Sequence, residues 1–125
     1  MALDLIAKFS VNEKVSSEDS KDIFEIFLAP DEKIILSYKH ARDKVVFTNY
    51  KIICFDVQGF TGSKQEYRIF PYSKISSFSV ETAGFLDADS DFKIWVSGVG
   101  IFEIKFGKKI DIKELGSFIA SKISN

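Results

Sequence analysis

The stretch Phe92-Lys93-Ile94-Trp95-Val96-Ser97-Gly98-Val99-Gly100-Ile101-Phe102-Glu103-Ile104-Lys105-Phe106 decides the architecture. Phe92, Ile94 and Val96 recur at period two, Phe102, Ile104 and Phe106 do the same, and Gly98-Val99-Gly100 separates the runs. Strand side chains alternate between faces, so each run reads as a half-buried strand and the glycines as the turn of an antiparallel hairpin. Just beyond, the period changes. Ile112, Leu115, Ile119 and Ile123, with Phe118 beside them, fall on one helical stripe, and Asp111 with Glu114 has the spacing of a capping-box-like start. This predicts a helix over 111–123.

Upstream of the hairpin the period of two continues. Ile34, Leu36 and Tyr38 share one face, Val45 and Phe47 repeat the pattern, the apolar run Ile52-Ile53-Cys54-Phe55 follows, then Tyr67 to Phe70, then Phe78 and Val80. Turn residues separate them at Ala41 to Asp43, Thr48-Asn49, Gly59 to Gly62 and Asp87 to Asp91, and Pro71 suits a strand end because it cannot donate a ladder hydrogen bond. The expectation is mainly β: seven antiparallel strands curled into a partly open barrel, capped by a C-terminal α-helix that buries its stripe in the open end. Before Lys33, the i,i+4 pairs Leu5/Phe9, Ile23/Phe27 and Phe24/Leu28 predict two short helices, with a polar linker from Asn12 to Asp19 and an end before Pro30. The chain then reads as one domain, a helical extension over 1–30 followed by the barrel and helix over 31–125.

Composition narrows the function classes. The 125 residues carry 17 basic and 18 acidic side chains, a formal net charge of -1, so no global field draws nucleic acid and no nucleic-acid partner is expected. A single cysteine, Cys54, rules out an intramolecular disulfide and a cysteine-rich metal site, and fits a reducing, cytoplasmic compartment. The segment Met1 to Phe9 is interrupted by Asp4 and Lys8, unlike a secretory signal or a membrane span, and a soluble chain is expected.

No constellation carries recognisable catalysis. There is no paired-carboxylate spacing, no activated nucleophile and no cofactor loop, so no enzyme activity, cofactor or metal is expected. Asp87-Ala88-Asp89-Ser90-Asp91 begins like a calcium loop, but Phe92 replaces the sixth-position glycine and Gly98 the twelfth-position glutamate. Lys39, His40, Arg42 and Lys44 surround one hairpin and could grip a phosphate by charge-assisted hydrogen bonds; the simpler reading is a solvated turn, with Asp43 interleaved.

Three segments add a resemblance. Val46-Phe47-Thr48-Asn49-Tyr50-Lys51-Ile52-Ile53, Phe70-Pro71-Tyr72-Ser73-Lys74-Ile75 and Phe92 to Gly98 look like the bacterial pleckstrin-homology-like family, in which "T-N-x-R/K-I-I" and "I/F-P-Y-S-K-I" segments recur. The match runs from about Asp31 to the end, and its motifs mark a fold, not an active site. The resemblance implies a non-enzymatic domain that forms homo-oligomers, often rings. It transfers no ligand: the terminal helix lacks tryptophan and the first hairpin is only partly basic.

Aromatic surplus supplies the functional expectation. Thirteen phenylalanines, four tyrosines and one tryptophan exceed what a small barrel easily hides. Alternation places Trp95 opposite Ile94 and Val96, and Ile53 and Phe55 opposite Cys54, so two strands carry apolar groups on their outer faces. Such a patch marks either an interface between copies or a surface that the N-terminal segment covers within one chain. The expected function is an interaction module that self-associates through Trp95, Phe55 and Ile53, with Phe60 and Phe85 as loop anchors. The alternative is recognition of an anionic head group or phospho-ligand at Lys39, His40, Arg42 and Lys44; another protein partner stays open, and lipid contact is the weaker reading.

Overall fold

The computed structural model describes the backbone of residues 5–59, 61–82 and 89–123, with side chains of the first strand from Lys8 onward. Among the described residues, nine strands form two sheets. β3 (Ile34–His40), β4 (Asp43–Thr48), β5 (Lys51–Gln58) and β6 (Lys64–Pro71) make an antiparallel meander, and β7 (Ile75–Glu81), β8 (Ser90–Val96) and β9 (Gly100–Phe106) make a second. These are the seven strands expected from alternation. The chain crosses between sheets at Pro71 through a short 3-10 turn, Tyr72–Lys74, and α2 (Ile112–Ile123) closes the barrel.

The helix follows its sequence pattern. The Asp111 carboxylate accepts hydrogen bonds from the backbone N–H of Lys113 at 3.1 Å and Glu114 at 3.3 Å, satisfying donors that a helix start leaves unpaired. Ile112, Leu115 and Ile119 are buried, and Phe118 packs edge-on to Tyr72 with ring centroids 6.3 Å apart. Inside the barrel they join Tyr38, Phe47, Ile52, Phe92, Phe102 and Phe106, all fully buried. Tyr38 lies edge-on to both Phe47 and Phe106, the arrangement that aromatic quadrupoles favour.

The N-terminal region departs from expectation. Leu5 and Phe9 do not lie on a helix: β1 (Leu5–Val11) pairs in parallel with β9, and β2 (Glu13–Val15) pairs antiparallel with β3. A separation of four residues is even, so it repeats a strand face as well as a helical one. The free edge of β9 decides, because it offers ladder hydrogen bonds that an isolated seven-residue helix could not replace. One strand, kinked at Asn12, thus ties the two sheets together: Gly107 N–H donates to Val11 O at 2.8 Å, and Asn12 N–H to Lys39 O at 3.1 Å. A Cβ on Gly107 would sit 2.9 Å from Asn12 Cα, so only glycine allows this crossing. Residues 5–15 therefore belong to the barrel and are not a helical extension.

The second expected helix exists but is short: α1 (Lys21–Phe24) passes into a 3-10 turn, Glu25–Phe27. A second correction concerns β3. A bulge between Ile34 and Leu36 breaks the alternation, sending Leu36 inward while Ile34 packs on the outer face.

Candidate functional site

Two surfaces were expected from the residues, and the geometry rearranges both. Ile53 and Phe55 do lie on the outer face of the β2–β6 sheet, but Phe24 of α1 sits on them. Phe24, Val46 and Ile53 are fully buried and Phe55 is 6% exposed. Phe24 packs edge-on to Phe55 at 6.3 Å and to Tyr67 at 6.5 Å, and Tyr67 Oη donates to Ile23 O at 3.2 Å. The assignment of Ile53 and Phe55 to a contact between copies is therefore corrected: their own chain covers them. Such a short helix has little stability of its own, and this packing holds it.

Trp95 is placed differently. It is half-buried on the outer face of the β1–β9–β8–β7 sheet, between Ser77 of β7 and Ile101 of β9 in register, and no helix of the described residues packs there. Next to it the Glu103 carboxylate is shared by Lys8 at 3.6 Å and Lys93 at 3.8 Å. Around the corner Val99 is 61% exposed and Ile69 38%, and both line a 450 Å3 groove with Phe70, Pro71 and Val96. The sequence reading missed these two, because the groove exists only where the end of β6 meets the β8–β9 turn. Phe60 and Phe85 lie outside the described residues.

The basic hairpin is split. Arg42 and Lys44 line one groove of about 530 Å3 on the outer face of the five-stranded sheet, together with Ile23, Phe55, Val57 and Tyr67. His40 lines a separate depression with Asn12, Asp89 and Lys105, and Lys39 lines neither. Lys39 and Lys44 are direct partners across β3 and β4 and share a face, whereas His40, one position on, points the other way, so the four cations do not all converge. Lys44 Nζ is 4.0 Å from the Asp19 carboxylate, and Arg42 Nη2 donates to Gly59 O at 3.3 Å. Asp43 forms no ion pair with these cations; its carboxylate accepts Val57 N–H at 2.9 Å.

The motif residues serve the fold. Glu32, whose side chain is wholly shielded, accepts from Lys51 Nζ at 2.6 Å, from Ala29 N–H at 2.9 Å and from the Thr48 hydroxyl. Thr48 Oγ1 in turn accepts from the N–H of Tyr50 at 3.0 Å and of Lys51 at 2.9 Å; Asn49 accepts Lys33 N–H, and Tyr72 Oη donates to Thr48 O at 2.7 Å. Burial pushes the Glu32 carboxyl up, yet the bonds from Lys51, Thr48 and Ala29 outweigh it and hold its pKa below the ordinary 4.5. The Thr48-to-Lys51 segment is thus a knot joining the start of β3, the β4–β5 turn and the crossing between sheets. Burial pushes the Cys54 thiol up, and a buried neutral thiol is a core group without reactive character. No helix of the described residues is long and apolar enough to cross a membrane, and no cluster of three or more His, Cys, Asp or Glu among them could hold a metal.

Comparison with known proteins agrees with this architecture. The Bacillus subtilis protein YjqA is 42% identical over 96 residues, covering 75% of this chain and 77% of its own. YozO from the same organism is 34% identical over 108 residues, 86% of this chain and 91% of its own. The crystal structure of a DUF1696 family protein with a pleckstrin-homology domain from Shewanella loihica PV-4 superposes with a TM-score of 0.80 at 33% identity, over 88% of this chain and 95% of that one. A pleckstrin-homology domain from Shewanella amazonensis SB2B gives 0.72 at 33% identity, over 89% and 90%. The bacterial PH domain model matches residues 4–123, the whole barrel with its N-terminal strand and terminal helix, and the chain belongs to that family.

Proposed function

We propose that this chain is a non-enzymatic, cytoplasmic interaction module that assembles with copies of itself through the outer face of the β1–β9–β8–β7 sheet. One observation supports this reading above the others. The chain covers the apolar outer face of its five-stranded sheet with α1 but leaves Trp95 and Ile101 half-buried on the other, beside the exposed Val99. Tryptophan on an open sheet face is the side chain that interface cores favour most. An outer face that meets a different surface on the next copy makes a head-to-tail contact, which closes into a ring when the rotation allows.

The test is the absolute mass of the purified protein by size-exclusion chromatography with light scattering, at low and high salt. A discrete multimer that persists in high salt and dissociates in Trp95→Asp is expected. A monomer at all concentrations, or an undisturbed Trp95→Asp multimer, removes this reading.

A second reading, recognition of an anionic head group, is favoured by the meeting of Arg42 and Lys44 on one groove. It predicts salt-sensitive binding of inositol phosphates or anionic vesicles that Arg42→Glu abolishes and His40→Ala leaves unchanged.

A further inference from the structure

We propose that the groove beside the β3–β4 hairpin binds an acidic peptide segment of another protein, one that presents apolar side chains next to a carboxylate. The inference takes the anion-binding role of Arg42 and Lys44 from the second reading above and assigns it a different class of ligand. The groove combines two chemistries. Its floor is apolar, formed by Ile23, Phe55, Val57 and Tyr67, and its lip carries Arg42 and Lys44. A sugar phosphate has no use for such a floor, and a purely apolar ligand has none for the cations.

Both cations are positioned but incompletely satisfied. A Cβ on Gly62 would sit 2.7 Å from Arg42 Nη1, and the glycine, at φ +72, leaves the guanidinium its place over the β5–β6 turn. Its hydrogen bond to Gly59 O uses one of the guanidinium donors, and no carboxylate of the described residues pairs with it. The fork that remains suits a carboxylate, which takes two of its N–H groups side by side. The Lys44 side chain is only 15% exposed, yet Asp19 stands 4.0 Å away, at the limit of an ion pair. Lys44 and Phe55 are direct partners across β4 and β5, so charge and apolar floor adjoin within one residue pair.

The surroundings favour a narrow ligand over a flat anionic surface. α1, whose neighbour Ile23 lines the groove, carries Asp22, and Glu25 follows it; both are exposed, and neither pairs with a cation of the described residues. An anionic bilayer laid across this side would meet those carboxylates as well as the cations, whereas a peptide enters the groove alone. Gln65, directly across β5 and β6 from Val57, lines the same groove and offers amide donors and an acceptor to a peptide backbone. The groove is also open to the surface, which suits a segment that lies in it and runs on, not a small molecule that a site must enclose. Charge complementarity thus pairs the peptide carboxylate with Arg42 and Lys44, and the hydrophobic effect pairs its apolar side chains with the floor.

The experiment measures fluorescence polarisation of fluorescein-labelled hexapeptides in which a pair of phenylalanines, leucines or tryptophans precedes two aspartates. Control peptides carry asparagines for the aspartates or serines for the apolar pair. The proteins are the wild type, Arg42→Glu, Arg42→Gln and Val57→Ser, with circular dichroism melts to verify folding and light scattering to read mass. At least one apolar–acidic peptide is expected to bind the wild type, and to bind each variant about tenfold or more weakly while the variants melt much as the wild type does. Either control peptide should lose a similar factor. Controls that bind as well as their parents, or peptides that bind the Arg42 variants as tightly as the wild type, overturn the assignment. Inositol hexakisphosphate or phosphatidylglycerol vesicles held through Arg42 while no peptide binds would overturn the peptide and leave the head-group reading standing. No binding of any of these probes overturns both. A wild-type multimer that Arg42→Glu dissociates seats a neighbouring copy in the groove and likewise overturns the proposal.

Discussion

The two sheets of this barrel treat their outer faces in opposite ways. On the five-stranded sheet, Val46, Ile53 and Phe55 form an apolar strip that α1 and Phe24 cover within the chain. On the four-stranded sheet, Trp95 and Ile101 are half-buried beside an acid held between two lysines, with no helix of the described residues over them. From strand patterns alone the strips look equivalent, since Phe55 and Trp95 are both aromatic on an outward position. The difference teaches that outward alternation identifies a face and not its environment. That depends on whether another segment of the chain can reach it, and α1 with its 3-10 turn, ending at Phe27, is joined to β3 of the five-stranded sheet by the six residues 28–33.

Removing the cover is the strongest way to break the contrast. Phe24→Ala leaves a cavity over Ile53 and Phe55 and is expected to cost about 3–5 kcal/mol, read as a lowered midpoint in urea unfolding; a loss below about 1 kcal/mol would mean that α1 does not seal this face. The Glu32 knot, which anchors the chain between α1 and β3, comes next. Glu32→Gln removes a shielded charge from Lys51 and should destabilise the fold by roughly 3 kcal/mol near pH 7. Because the folded-state pKa of Glu32 is lowered, this stabilisation is present above its ordinary 4.5 and is lost as pH falls through the folded value. Wild type and variant should therefore converge in acid, as denaturant titrations across that range would show, and a constant gap would contradict the assignment.

The uncovered face predicts the reverse balance. Trp95→Asp should change the stability of the monomer by only about 1 kcal/mol while dissociating the assembly, since few intrachain contacts depend on a half-buried side chain. Equilibrium unfolding at concentrations below assembly separates the two effects. The smallest change is expected for Lys93→Ala, which breaks a surface ion pair at 3.8 Å and should shift stability by less than about 0.5 kcal/mol, an upper bound that thermal melts can check.

Most of the barrel was legible as periodicity. Seven strands, their turns, the Asp111 cap and the helical stripe were readable because alternation, glycine turns and capping are local consequences of backbone geometry. The first strand was misread for a physical reason: Leu5 and Phe9 satisfy both periods, and the choice between them lies in the edge of β9, almost a hundred residues away in the chain. The bulge at Ile35 was invisible for the same reason, being set by pairing with β4. At the candidate sites, the outward place of Trp95 was readable from its strand position. The separation of His40 from Arg42 and Lys44 was not, because they adjoin in sequence while the pleat and the turn send them to different surfaces.

By itself the sequence determined the family, the seven antiparallel strands β3 to β9, the capping helix and the family motifs, all of which depend on neighbours within a turn or a hairpin. Tertiary structure alone decided that the N-terminal strand closes the seam between sheets, that α1 covers Ile53 and Phe55, and that Arg42 and Lys44 meet an apolar floor. Each of those outcomes depends on which edge, face or groove another segment can reach, and burial rewards contacts by area without regard to distance along the chain.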